Sequence, residues 1–469
     1  MILRTCPSLI VGVAAILLFH SMESADAATP PPAARPADYQ PSGWKQKSDV
    51  NASPKQMTYK SEVQGIQGQN TLRVNALPVM GAKQSGTTPC VGFTCLPVGS
   101  EAADSAGITF EYQGDGSMSF GSVFVGTSAD LLNAHEAFFP LGSTGWQTAT
   151  LRWSDFVNNA LPWDKAARLA PDDMTVHPVG IKFIGFGRSN CNYKFHTPKV
   201  GFAIRNIRFP VTLPANPVPV YSKGLSHTTD RIRRKDGLNI LMLGDSITDM
   251  GGEKNHGWHC AQLLRKKFGL PPGKVANAGI SGQTVRFGTI GLPRALRLMP
   301  NPDLVCIMFG ANDCKAATGE FNQSGFNQEA FARNLSALVD QVRRATGGKA
   351  DIVLLSGVPR LDKSAGTTTG AVETIVGACQ TVAVAKETAF CDTFPAYLEL
   401  TAERKASYYK DTVHQSQAGL AFLGQLLSNS VAAAVQAEAP PKGDPRGASY
   451  LVQGKSRLVG MGMKPRQVW

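Results

Sequence analysis

Two hydropathy rhythms divide the chain. From 56 to about 210, short runs rich in β-branched and aromatic residues are separated by Gly, Asn and Asp; the clearest are 108–112, 118–120, 122–125, 148–153, 181–186 and 202–209. Runs of that length bounded by turn formers predict strands, and their regular recurrence predicts an all-β sandwich. Beyond 237 the rhythm changes. Near-continuous apolar runs at 238–243, 304–309 and 352–355 alternate with helix-like segments at 258–268, 328–344, 372–387 and 417–435. Strands apolar on both faces, each followed by a helix, predict a parallel sheet covered on both sides. The expected fold is α/β, a three-layer α/β/α domain with a parallel sheet, preceded by an all-β sandwich domain.

The flanks and the join read differently. Arg4, an apolar run at 9–19 and the small residues Ala25-Asp26-Ala27 have the order of an export signal over 1–27, which predicts a mature chain starting near Ala28. That run is too short for a comfortable membrane span, and no other stretch has enough apolar length. Cys6 precedes the apolar run, which argues against a lipoprotein anchor. A Pro- and Ala-rich leader occupies 28–55, the sandwich 56–212 and a linker 213–236, the last with Pro214, Pro217 and Pro219. The α/β domain covers 237–437, and 438–469 form a basic tail. The expected location is exported, periplasmic or extracellular.

Composition narrows the class. Hydrophobic residues at 43% and charged residues at 17% suit a chain able to bury two cores. Beyond Cys6 there are eight cysteines: Cys90, Cys95, Cys191, Cys260, Cys306, Cys314, Cys379 and Cys391. An exported chain permits disulfides, with Cys90/Cys95 and Cys379/Cys391 the easiest pairs. Cys306 lies in an apolar strand-like run and reads equally as a buried thiol. No cysteine set has zinc spacing with histidines, so neither metal nor cofactor is expected. The net charge of +12 fits a partner surface that is anionic, or simply a solubilising exterior. Arg231, Arg233, Arg234 and Lys235 form one dense cluster, but no nucleic-acid motif accompanies it, so no nucleic-acid partner is expected.

Four short segments carry chemistry. They are Gly244-Asp245-Ser246-Ile247-Thr248, the stretch from Asn277 to Gly282, Gly310-Ala311-Asn312-Asp313 and Asp411-Thr412-Val413-His414. The first follows an apolar strand, which sets Ser246 at the carboxyl edge of a parallel sheet, where such sheets bind ligands. A serine hydroxyl needs a base, and His414 is the candidate, with Asp411 to orient its ring. Ser416 is placed to cap the last helix and fix that loop. Gly279 and Gly282 can each offer an unobstructed N–H, and Asn312 an amide. With the Ser246 N–H these would make three donors for an oxyanion. Asp245 and Asp313 read as loop-bonding residues, His256 and His259 as the start of the next helix, and Arg286 as a surface residue.

These blocks, in this order, resemble the four signature blocks of the SGNH (GDSL) hydrolases over 237–437. The resemblance implies an SGNH-like α/β/α fold with Ser246 as nucleophile, His414 as base and Asp411 as its partner. It also implies an oxyanion hole of Ser246, Asn312 and a second-block glycine, with Gly282 favoured over Gly279. No G-x-S-x-G is present, which argues against an α/β-hydrolase elbow. Segments 145–156, 181–186 and 202–209 loosely resemble galactose-binding-like jelly rolls. Trp146, Trp153, Trp163 and Tyr193 are then either sugar-stacking or core aromatics.

The functional expectation is a serine esterase removing O-acetyl groups from a polysaccharide. A lipolytic or lysophospholipase-like esterase is one alternative. An acyltransferase, or a carbohydrate-binding protein with a silent hydrolase fold, is another. The partners expected are an acylated polysaccharide or other ester; the sequence does not set the oligomeric state.

Overall fold

The computed structural model describes residues 92–117, 119–127, 134–158, 176–188, 200–313, 328–361 and 369–437, with the strand segments 35–36, 45–48, 57–66 and 69–78. The expected signal segment and basic tail, and with them Cys90, Cys191, Cys314, Trp163 and Tyr193, lie outside the described residues.

Among the described residues twelve strands build the N-terminal part: β1 (Arg35–Pro36), β2 (Lys45–Ser48), β3 (Met57–Ile66), β4 (Gln69–Pro78), β5 (Gly92–Pro97) and β6 (Gly107–Gly114), then β7 (Phe120–Gly126), β8 (Ala134–Pro140), β9 (Trp146–Arg152), β10 (Val157–Asn158), β11 (Phe183–Arg188) and β12 (Val200–Phe209). They pair antiparallel in two sheets, β3-β4-β12-β6-β9 with β1 against β12, and β10-β8-β7-β11-β5-β2. Alternate residues of β6 point inward, and Phe110 meets Phe139 and Phe186 of the opposite sheet edge-to-face, with ring centroids 5.2 and 5.1 Å apart. One apolar core is thus shared by both sheets.

The C-terminal part is a five-stranded, wholly parallel sheet of β13 (Ile240–Gly244), β14 (Val275–Asn277), β15 (Leu304–Met308), β16 (Asp351–Leu355) and β17 (Ala389–Cys391), in the order β14-β13-β15-β16-β17. The helices are α1 (Ser226–Arg233), α2 (Ser246–Asp249), α3 (His256–Phe268), α4 (Val285–Leu298), α5 (Gln328–Thr346), α6 (Thr369–Ala385), α7 (Phe394–Leu398), α8 (Ala402–Tyr408) and α9 (Gln417–Ala437). The period of two in each strand divides two cores. Leu241, Leu243, Val305 and Ile307 face α4, α5 and α6, whereas Ile240, Met242, Cys306 and Met308 face α1, α3 and α9. Every residue of β13, β15 and β16 is buried, as a sheet covered on both faces demands.

Strand order matters for function. β13 lies between the next strand in sequence and β15, so the chain reverses its direction of winding there, and a crevice opens beyond the carboxyl ends of β13 and β15. Gly244 pairs with Met308, so the loops after both strands leave at one level.

Three sequence expectations change. Residues 226–233, placed in the linker by their charge, form helix α1 and pack against α9 and β16. Asp351 accepts the Thr228 N–H at 2.6 Å, Asp303 pairs with Arg231 at 3.2 Å, and Thr228, Thr229 and Ile232 are buried. The expected Cys379/Cys391 pair is not a disulfide. Both are free thiols in apolar surroundings, as are Cys260 and Cys306. Helix α9 is long and apolar enough to cross a membrane by length and composition, yet Leu423, Leu427 and Val431 are fully buried in the core shared with α3.

The sandwich leans on the flank of α4 and α5, away from the carboxyl edge. Arg297, near the end of α4, donates to the Ser117 carbonyl at 3.2 Å and lies over the Phe120 ring at 4.6 Å. Arg344 of α5 donates to the Asn216 carbonyl at 3.0 Å. A cavity of about 480 Å³ remains between Phe138 and Leu151 on one side and Leu292, Leu296 and Arg344 on the other.

Candidate active site

Strand β13 delivers Ser246 through a turn that excludes other residues. A Cβ on Gly244 would come within 2.2 Å of Thr248 Oγ1 and 2.6 Å of the Met308 carbonyl, so only glycine passes. The Asp245 carboxylate then accepts the Ile247 N–H at 2.9 Å and caps α2. Ser246 is the first residue of that short helix, so its backbone N–H stands at the helix end beside its own hydroxyl.

The candidate base, His414, arrives from the far end of the chain. Residues 409–415 form a tight bridge, with Lys410 N–H donating to the His414 carbonyl and Ser416 N–H to the Tyr408 carbonyl. Ser416 Oγ accepts the Gly419 N–H at 3.2 Å, which ties the loop to the start of α9. His414 Nε2 stands 2.9 Å from Ser246 Oγ, and its Nδ1 stands 2.7 Å from Asp411 Oδ2. Desolvation raises the Asp411 pKa, but the His414 N–H, the His414 ring and the Val413 N–H outweigh it and bring the carboxyl to about 2. An ionised carboxylate therefore faces Nδ1 at any ordinary pH.

The candidate oxyanion donors come from the loops after β14 and β15. Asn312 is buried after β15, and one of its amide hydrogens is anchored to the Gln283 carbonyl at 2.9 Å. The second-block loop continues the ladder beyond β13, with Ala278 N–H to Met242 O and Ile280 N–H to Gly244 O, both 2.9 Å. Gly279 N–H is already given to the Asn277 side chain at 3.0 Å. Gly282 turns the chain at φ 79°, in the left-handed region that glycine alone enters freely. The two glycines have different work: Gly279 lets the loop press on α2, where a Cβ would be 2.5 Å from Asp249 N. Gly282 sits at the loop's exit.

Sequence reasoning missed the residues that lock these pieces together. The Asn277 amide donates to the Thr248 and Gly252 carbonyls, both at 2.9 Å, and to Asp249 O at 3.3 Å. Asp249 in turn accepts from Ser281 N–H and Oγ. Arg360 holds the third-block turn through the Ala311 carbonyl at 3.0 Å. The one available signal was position: Asp249 follows Ser246 by three residues, one helical turn.

Other expectations resolve by burial. Asp245 and Asp313 do bond loops, Asp313 accepting the Val285 N–H at 3.2 Å. Burial pushes their carboxyls up, to about 6 and about 7, with Asp245 adding to the rise at Asp313. Arg286, expected at the surface, is buried; its charge bears on Asp313, which the chain brings beside the start of α4. His256 and His259 begin α3, and His256 is fully buried, with its pKa pushed down to about 4 by burial. Trp153 is a core residue: its indole N–H donates to the Ser105 carbonyl at 2.8 Å and its ring stacks on Phe209. Trp146 has one face covered by the Arg205 guanidinium, 3.9 Å from the ring centre. Among the described residues no three His, Cys, Asp or Glu side chains gather as metal ligands.

A serine hydroxyl, an imidazole in reach of it and an ionised carboxylate behind the imidazole are the parts that acyl transfer needs. Residues 242–422 match the GDSL-like lipase/acylhydrolase family. The C-terminal domain belongs to that family. No curated protein matches the chain. Among solved structures, the GDSL-like domain is similar to Axe2, an acetylxylan esterase from Geobacillus stearothermophilus, at 22% identity over 42% of this chain and 94% of that one, TM-score 0.35. An acetyl xylan esterase, AlAXEase, matches at 18% identity over 41% and 100%, TM-score 0.34. A two-domain esterase active on acetylated mannans matches at 22% identity, TM-score 0.36; 50% of this chain spans 59% of that esterase's length. The GDSL-like domain is a carboxylic ester hydrolase domain, built on a parallel sheet with its candidate site at the carboxyl edge.

Proposed function

We propose that this chain is an exported serine esterase that removes O-acetyl groups from a polysaccharide. One observation carries the catalytic part: His414 spans Ser246 Oγ and Asp411 with hydrogen-bond distances of 2.9 and 2.7 Å. In the cycle, His414 Nε2 takes the Ser246 proton as Oγ attacks the ester carbonyl. The Ser246 N–H, the Gly282 N–H and the second amide hydrogen of Asn312 receive the oxyanion. His414 returns the proton to the departing sugar hydroxyl, and the acetyl group is left on Ser246. Water, deprotonated by the same ring, then releases acetate. Asp411 stays ionised and holds the tautomer that keeps Nε2 an acceptor.

The polysaccharide part rests on domain context: an antiparallel sandwich ahead of the hydrolase domain, an export-like N-terminus and a positive net charge. The test uses aryl acetate, butyrate and octanoate esters, then acetate release from acetylated xylan and mannan, with Ser246→Ala as control. Acetate preference and acetate release, both lost in the variant, are expected. Octanoate preference without acetate release would replace the polymer with a lipid. No Ser246-dependent hydrolysis at all would withdraw Ser246 as a hydrolytic nucleophile.

A further inference from the structure

Two basic clusters that are 30 residues apart in sequence form one surface in the fold. Arg233, Arg234 and Lys235 end α1; Arg265, Lys266 and Lys267 end α3; all six are exposed. Lys235 Nζ donates to the Phe268 carbonyl at 2.6 Å, which joins the two helix ends directly. Cations at helix C-termini offset the helix dipole, and each end needs only about half a unit of charge. The only carboxylates paired with these cations among the described residues are Asp230, 3.9 Å from Arg233, and Asp236, 3.1 Å from Arg234. Four positive charges are left over against roughly one and a half from three helix ends, α9 included because Arg233 also donates to the Val435 carbonyl at 3.4 Å. Helix capping therefore does not account for the patch.

Its position is as informative as its charge. α3 begins beside the loop that follows Ser246, Asn255 lying against Gly251, and runs back along the sheet to Phe268. Thirteen residues place the patch about 20 Å away, at the amino edge of the strands. Its chemistry also separates partners. Among the described residues the large exposed apolar side chains are Val179, Val211, Val220, Met250, Leu361, Val384 and Leu398, and none belongs to α1 or α3. The surface has no wedge for a bilayer. It also presents no exposed aromatic for stacking on the bases of a single strand, Phe268 being half-buried beneath Lys267.

We infer that the amino-edge face formed by the ends of α1 and α3 binds a polyanionic carbohydrate chain, of the polyuronate class. The polymer is held on the side of the domain opposite Ser246, so this face anchors the enzyme and takes no part in ester cleavage. The inference does not depend on Ser246 being a working nucleophile.

The experiment is affinity electrophoresis of the full chain through gels containing polygalacturonate, at several salt concentrations. Arg234→Glu/Lys266→Glu/Lys267→Glu is compared with an equal reversal elsewhere, Lys182→Glu/Lys254→Glu/Arg404→Glu. The parent is expected to be retarded, the patch variant to lose at least about tenfold in apparent affinity with a shallower salt dependence, and the control set to lose little. Aryl acetate turnover of the patch variant should equal the parent's, which shows that it is folded. Equal losses in both sets would reduce the effect to net charge and overturn the inference. So would an unretarded parent, or a parent that sediments with phosphatidylserine vesicles yet ignores polygalacturonate.

Discussion

Ser281 gives both its backbone N–H, at 3.1 Å, and its hydroxyl, at 2.5 Å, to one oxygen of Asp249. Asp249 closes the helix that Ser246 opens, and Ser281 immediately precedes Gly282. The helix of the candidate nucleophile and a candidate oxyanion donor are thereby fastened through a single carboxylate oxygen. Asn277 repeats the fastening from the other direction, reaching the Thr248 and Gly252 carbonyls.

Loosening that fastening should slow chemistry more than binding. Asp249→Asn keeps one acceptor but turns a charged partner into a neutral one, and is expected to lower kcat about tenfold with KM nearly unchanged. Ser281→Ala should do the same to a smaller degree. Steady-state kinetics on aryl acetate separate the two parameters; a rise in KM at constant kcat would assign Asp249 to substrate binding instead.

In the proposed cycle, Asn312→Ala removes a donor needed only when the carbonyl oxygen becomes charged. A fall in kcat of about 10²–10³ is expected, again with little change in KM. Asp411→Asn should cost more, on the order of 10⁴, because it offers Nδ1 the wrong partner and releases the tautomer.

Gly282→Ala and Gly279→Ala should fail differently. At Gly282 the strain is local to a φ of 79°, costing roughly 1–3 kcal/mol, and should appear mainly as lost activity. At Gly279 the new methyl meets Asp249 N and the Thr248 Cβ, so thermal melting should fall along with activity. Circular dichroism melts beside kinetics check the distinction.

The buried carboxyls of Asp245 and Asp313 give stability an unusual pH dependence. Both pKa values lie above the usual 3.8, at about 6 and about 7, so between pH 4 and 7 the folded state holds protons that the unfolded state has released. That contribution is present at the acid end and is lost as pH rises through 6 to 7. Asp313→Asn, which still accepts the Val285 N–H, should flatten the decline. Urea midpoints at pH 5 and pH 8 for parent and variant measure it; an unchanged slope would remove Asp313 from the account.

Thiol labelling of the unfolded, unreduced chain followed by peptide mass mapping should find Cys260, Cys306, Cys379 and Cys391 modified. Protection of Cys379 and Cys391 together would restore the disulfide that their spacing suggested.

Legibility followed local physics. The strands at 238–243 and 304–309 announced themselves because a sheet buried on both faces leaves no polar positions, and the residues at their ends could be placed by that alone. Helix α1 was hidden because its surface is mostly charged, and its burial depends on Asp303 and Asp351, more than 70 residues away. Arg286 was misread for the same reason: the buried acid beside it, Asp313, comes from another segment. The Asn277 and Asp249 fastenings also join distant segments, and an acid one turn after a serine looks like any exposed helix residue until the facing loop is known.

Helix α4 has its first N–H held by Asp313, one residue from Asn312, and its last turn pinned by Arg297 to the sandwich. Its fourteen residues span about 21 Å, with Pro293 inside the helix. Helix α4 thus has one end tied to the loop that carries Asn312 and the other tied to the sandwich. Cutting the sandwich away would take from the last turn of α4 the Ser117 carbonyl and the Phe120 ring that hold Arg297.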